Sequence, residues 1–180
     1  MTARLLLDAC VAINLIATQK FDEIAAANDL VFVMVDEAAQ EVSSLRDYVD
    51  GERVIVPINV AERLRSGALE FTALAEDEFP LYVQYAAKVG DGEAATIAAA
   101  VARSLPLATD DRAARRLCGE IGVSRLISTS LLLRKYAESD ELTPKEISRL
   151  LQRIEKNASF VLGRTDSDYS WWIEHLRLEE

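Results

Sequence analysis

The chain has 180 residues, enough for one domain with its own core. Half of them are hydrophobic and 28% are charged, while glycine and proline are scarce, which excludes a disordered or collagen-like chain. Cys10 and Cys118 are too few for a disulfide framework, no CxxC or His-rich spacing offers a zinc site, and His175 is the one histidine. Polar chemistry in this chain therefore falls to carboxylates.

Twenty Lys and Arg against thirty Asp and Glu give a net charge of −10, which weighs against a nucleic-acid partner. The distribution weighs the other way. Residues 101–165 hold twelve basic and eight acidic side chains, and the remainder holds eight and twenty-two. No apolar run approaches the ~18 residues of a membrane helix. The start, MTARLLLDACVAINLIA, has the look of a secretory leader until Asp8 and Asn14 interrupt it. A soluble, cytoplasmic protein with no membrane partner is expected.

In chain order, Arg4 to Leu7 predicts a short buried strand, and Ala9 to Ala17 and Phe21 to Asn28 predict helices. Val31 to Val35 is β-branched and bounded by polar residues, as in a central strand. Asp36 is placed to cap a helix running to about Leu45, and Arg53 to Pro57 reads as a further strand. Ser66-Gly67 marks a turn; Glu76 to Lys88 and Glu93 to Arg103 read as helices broken by Gly90-Asp91-Gly92. Leu105 to Thr109 returns as a strand, and a helix starts at Asp110 or Asp111 and runs to Leu117. Helices follow near 129–138 and 144–157, the latter opened by Thr143-Pro144-Lys145-Glu146. A tail helix spans Asp168 to Leu178 with Trp171 and Trp172. Short strands between helices predict an α/β fold of three layers, α/β/α, around a short, mostly parallel sheet. Residues 1–125 make the α/β body, and 126–180 a helical extension packed on it.

In such a sheet ligands bind beyond the carboxyl ends of the strands, and acids gather there. Asp8 ends the first strand, and Asp110 and Asp111 follow the Leu105–Thr109 strand. Glu37 and Glu41 share one helix face, and Asp91 and Glu93 open another helix. Clustered carboxylates repel one another unless a cation compensates, and an all-oxygen site suits Mg²⁺ or Mn²⁺. Two such ions about 4 Å apart hydrolyse phosphodiesters without histidine. Against this stands a plainer reading for each acid: Asp36, Asp91 and Asp111 as helix caps, Glu37 and Glu41 as solvated side chains. Asp8, set directly after an apolar strand, is the hardest to explain in that way.

LLLDACVAINL (5–15), VFVMVDEAAQEV (31–42), GDGEAATIAAA (90–100) and LATDDRAARRL (107–117) resemble, in order and spacing, the four acidic motifs of the PIN-domain family, which includes VapC-like ribonuclease toxins. The likeness spans about residues 3–120 and continues weakly into a tail similar to that of a subgroup with a longer helical C-terminus. The resemblance implies a metal-dependent nuclease acting on RNA. Asp8 matches the first acid, Glu41 the second with Glu37 as the competing position, and Glu93 the third. The fourth is Asp111 by the Thr-x-Asp pattern, with Asp110 adjacent, and Thr109 matches the hydroxyl residue that orients the acids. A toxin would imply a cognate antitoxin blocking the acidic cleft. One departure stands out: Ala9 and Cys10 occupy positions where the family often has hydroxyls, which removes a hydroxyl contribution. Asn14 either reaches the site or makes a local polar contact.

Arg112, Arg115 and Arg116 lie beside the fourth acid at helical spacing, either tracking an RNA backbone or forming a solvated face. Arg149, Arg153 and Lys156 form a second basic stripe, without the aromatic interleaving of a stacking platform. Tyr169, Trp171 and Trp172 close the core, meet a partner such as a second copy in a homodimer, or stack on nucleotides. Two other functions compete with the nuclease. A phosphohydrolase for small phosphate esters would want a second Asp two residues after Asp8, where Cys10 stands. A non-catalytic PIN-fold interaction module would not need four intact acids.

Overall fold

The computed structural model describes residues 2–123 and 125–177. The first apolar run forms β1 (Ala3–Leu7), with Leu5, Leu6 and Leu7 fully buried. Next come α1 (Ala9–Ala17), α2 (Phe21–Ala27), β2 (Leu30–Val35), α3 (Asp36–Glu41), β3 (Ser44–Val49) and β4 (Glu52–Pro57). After these follow α4 (Ala61–Ser66), β5 (Leu69–Thr72), a 3₁₀ turn at Glu76–Glu78, α5 (Phe79–Ala86) and α6 (Asp91–Arg103). The remainder is β6 (Leu107–Ala108), α7 (Arg112–Glu120), β7 (Leu126–Ile127), α8 (Thr129–Ser139), α9 (Pro144–Arg153), a π turn at Ile154–Ala158 and α10 (Tyr169–Leu176).

The central sheet has the order β5-β2-β1-β6-β7, every pair parallel. Helices flank it, so the chain has the expected three-layer α/β/α architecture with C-terminal helices. Strands buried on both faces need no alternation, which explains the continuous runs Leu5–Leu7 and Phe32–Val35. On α6, Ala94, Ala95, Ala98, Ala99 and Ala100 are buried, and their small side chains let the helix lie close to the sheet. From β1 the chain builds outward to β2 on one side, and β6 later docks on the other. The reversal of strand order therefore falls between β1 and β6, where open α/β sheets form their crevice.

Several expected elements change. The helix after β2 ends at Glu41, not near Leu45, because Val42 leaves the helical region and Leu45 enters a strand. Asp36 is the first residue of that helix, with Val35 at the cap position, and Asp91 likewise follows Gly90. Neither acid caps by its side chain. Arg53–Pro57 is a strand, but it pairs antiparallel with β3 in a separate hairpin, Leu45 opposite Val56 and Asp47 opposite Val54. Asp50 and Gly51 turn that hairpin with φ of 50° and 82°, the conformation Asp-Gly favours in tight β turns. The sheet position beyond β2 goes instead to β5. The segment after 125 is not wholly helical, since Leu126–Ile127 adds an edge strand to β6. Strand β6 keeps only two residues, and α7 starts at Arg112. In the tail, Trp172 is fully buried, edge-on to Phe160 with ring centres 5.8 Å apart, and closes the core.

Candidate carboxylate site

Register places the first two site residues side by side. Leu6 pairs with Leu107 and Leu7 with Ala108, so Asp8 and Thr109 leave neighbouring strand ends at the β1–β6 reversal. Asp8 is 1% exposed. Its Oδ1 accepts from the Ala9 amide at 2.8 Å, and its Oδ2 accepts from the Thr109 hydroxyl at 2.6 Å and the Cys10 thiol at 3.3 Å. Burial pushes the Asp8 carboxyl up to about 6; the Thr109 and Cys10 hydrogen bonds oppose this, and the Glu93 charge reinforces it. Burial and the charges of Asp8 and Asp110 push the Cys10 thiol up as well, so it acts as a hydrogen-bond donor and not as a nucleophile. The position that lacks a hydroxyl thus still supplies a donor.

Glu41 reaches the site from the end of α3. Its Oε1 accepts from the Gly92 amide at 3.1 Å, in the first turn of α6. Gly92 has to be small here: a Cβ would run into the Glu41 carboxylate and stand 3.2 Å from the Ala38 Cα. Partial desolvation and the Glu93 charge raise the Glu41 pKa, with Asp91 adding and the Gly92 bond opposing. The Glu93 charge thus bears on both Asp8 and Glu41. Asp91 lies near Tyr82, whose phenol pKa is raised by burial and by the Asp91 charge. Glu37, one turn before Glu41, has a buried Oε2 without a hydrogen-bond partner.

The adjacent pair Asp110 and Asp111 divide their work. Asp111 is the cap of α7, its Oδ1 accepting from the Ala114 amide at 2.8 Å. Asp110 turns inward: Oδ1 accepts from the Thr129 amide at 3.1 Å, and Oδ2 accepts from the Thr129 hydroxyl and from Asn14 Nδ2 at 3.1 Å. Burial raises its pKa, opposed by the Thr129 and Asn14 hydrogen bonds and by Arg115. Asn14 therefore reaches the site, while also donating to the Thr129 hydroxyl at 3.2 Å. The three arginines separate. Arg112 and Arg115 line a cavity of about 240 Å³ with Asp110, walled by the segment Phe160–Asp166. Arg116 opens to the other side of α7, beside Lys88 and Glu120.

Thr129 and Tyr82 were not visible as site residues, and Cys10 was visible only as a missing hydroxyl. For Thr129 a signal existed: the hydroxyl run Ser128-Thr129-Ser130 directly after the apolar pair Leu126-Ile127 marks a strand end. The donor set around Asp8 is carboxylate oxygen, which suits a hard divalent cation. The Glu93 charge bearing on Asp8 and on Glu41, with the orphaned Glu37 oxygen, is what such an ion would offset. Among the described residues no three His, Cys, Asp or Glu side chains stand close enough together to hold a metal ion. No family model, curated protein or solved structure matches the chain. No helix among the described residues is long and apolar enough to cross a membrane.

Proposed function

We propose that the chain is a Mg²⁺- or Mn²⁺-dependent endoribonuclease of the PIN type. The observation that carries this reading is the buried Asp8 carboxylate at the sheet's reversal point, held by Thr109 and sharing its electrostatic field with Glu93. Buried like charges destabilise a fold unless a counter-charge joins them. Asp8, Glu41, Glu93 and the acid at 110 or 111 would hold the ion, with Asp111 matching the family pattern and Asp110 the one held inward by Thr129 and Asn14. When bound, it would supply an activated water and stabilise charge on the phosphate oxygens. Thr109 and Cys10 fix the Asp8 carboxylate, Gly92 fixes Glu41, and Asn14 with Thr129 fixes Asp110. Arg112 and Arg115, beside Asp110, would hold phosphate of the RNA. A cognate antitoxin follows from the family resemblance, and a homodimer would rest on the aromatic cluster of the tail helix, Tyr169 with Trp171.

The test is a calorimetric Mn²⁺ titration of wild type and Asp8→Asn, run beside cleavage of a mixed RNA pool. Saturable binding that the variant loses, together with metal-dependent cleavage, is the expected result. No binding at millimolar metal overturns the proposal.

A further inference from the structure

At the far end of α1, about 13 Å of helix from Asp8, a cleft of about 500 Å³ opens between the β3–β4 hairpin and the last turns of α9. Its volume lies in the usual range for ligand sites. Four cations line it: Arg149, Arg153 and Lys156 from α9 and the π turn, and Arg46 from the hairpin opposite. The spacing of four and then three puts the first three on one helical face.

Three of the four are set in place by neutral partners. Arg153 Nη1 donates to the Thr18 carbonyl at 3.0 Å, and Arg46 Nη1 donates to the Ser159 hydroxyl. Lys156 Nζ stands 5.0 Å from the centre of the Tyr48 ring. Asn157 Nδ2 ties the hairpin down, donating to the Arg46 carbonyl at 2.6 Å and to Asp47 Oδ1 at 3.3 Å. Asp47 is the one acid on the wall, and its Oδ1 also takes the Tyr48 amide. Among the described residues none of the four cations makes an ion pair. Glu146 feels the Arg149 charge, but its Oε2 is bound to the Thr143 cap. A net positive wall thus persists in a chain of charge −10, with three guanidinium forks suited to phosphoryl oxygens.

We propose that this cleft binds a ligand carrying consecutive phosphoryl groups, whether a small oligophosphate or the backbone of a single-stranded nucleic acid. The site shares no residue with the carboxylate cluster and stands whether or not that cluster is catalytic.

The experiment is calorimetry with sodium tripolyphosphate and with a ten-nucleotide single-stranded DNA, in chelator. Wild type, Asp8→Asn and the double variant Arg149→Gln/Lys156→Gln are compared. At least one probe should saturate, bind Asp8→Asn as it binds wild type, and bind the double variant about tenfold more weakly. For the oligonucleotide, the log–log salt slope should fall by about 1.4, as expected when two cations leave a single-strand contact. Saturation by tripolyphosphate alone identifies a small ligand; saturation by the DNA alone identifies a polymer backbone; mutual displacement shows one site taking both. On wild type, bound probe should also shield Lys156 from an amine-acylating reagent. Failure of both probes to saturate, or equal binding by the double variant with Lys156 unshielded, overturns the proposal.

Discussion

Thr109 Oγ1 donates to Asp8 Oδ2 at 2.6 Å and accepts from the Asp111 amide at 3.2 Å, so one buried hydroxyl joins the end of β1 to the start of the α7 cap. Both links depend on the hydroxyl alone. Thr109→Val, which keeps the shape, should lower stability by about 1–2 kcal/mol. It should also weaken Mn²⁺ binding about 10- to 100-fold, as loss of a ligand-orienting partner does elsewhere. Thr109→Ser should restore most of both. Urea denaturation and Mn²⁺ calorimetry check the pair, and equal metal affinity in all three proteins would remove Thr109 from the site.

Asp8 gives the fold a pH dependence of defined sign. Folded, it holds its proton up to about pH 6; unfolded, it releases it near 3.9. Between these values the native state binds more protons, so stability falls as pH rises through the window, by about 3 kcal/mol for this group alone. Without divalent metal, Asp8→Asn should therefore be more stable than wild type at pH 7.5 by about 1–3 kcal/mol. That advantage should vanish near pH 4. Added Mn²⁺ should reverse the order at pH 7.5, since only wild type gains from binding. Denaturation at the two pH values, with and without metal, reads all of this.

Asp110 and Asp111 should separate by stability. Asp111→Ala removes a helix cap and should cost about 1 kcal/mol. Asp110→Ala leaves the buried Thr129 and Asn14 donors without their acceptor and should cost about 2–4 kcal/mol. Thermal unfolding ranks them, and the opposite order would mean that Asp110 is not held inward in solution.

Glu78 is 3% exposed and takes a two-pronged hydrogen bond from Arg103, Nε to Oε1 and Nη2 to Oε2, both 2.6 Å. The pairing holds its carboxyl below the ordinary range. Its stabilisation is present above the unfolded pKa and is lost as pH falls through the folded value. Arg103→Met strands the buried charge and should destabilise by about 3–5 kcal/mol at pH 7. The penalty should shrink near pH 4, where Glu78 can protonate. A penalty independent of pH would assign it to lost packing.

The central strands were legible because burial on both faces leaves an uninterrupted apolar signature, and Asp8 stood out because it ends one of them. Strand β5 escaped because Leu69–Thr72 is only four residues long, buries Leu69 alone, and follows directly on the Ser66-Gly67 turn. Strand β4 was legible at Arg53–Pro57, but β3 and the antiparallel pairing escaped because Ser44-Leu45 reads as the end of the helix after β2, although Asp50-Gly51 was present as a turn signal. Within the site, the choice between Glu37 and Glu41, or between Asp110 and Asp111, depends on which way a side chain turns from its helix. Neighbours far along the chain decide that: Gly92 for Glu41, and Thr129 with Asn14 for Asp110. Periodicity carries no such information. Arg116 parted from Arg112 and Arg115 for a related reason, since Phe160–Asp166 walls only the side of α7 that faces Asp110.

The sheet order sets a timetable for the chain's own synthesis. Asp8 is made 101 residues before Thr109, and Asn14 is made 115 residues before Thr129. At ~5–20 residues per second, about 5–20 s separate each residue from its partner. During that interval β1 can pair with β2 along one edge, while its other edge, lined by three leucines, waits for β6. Asp110 gains its holding partner only when translation has passed Thr129, so a message cut short before that codon yields a chain with every acid present but with Asp110 unheld.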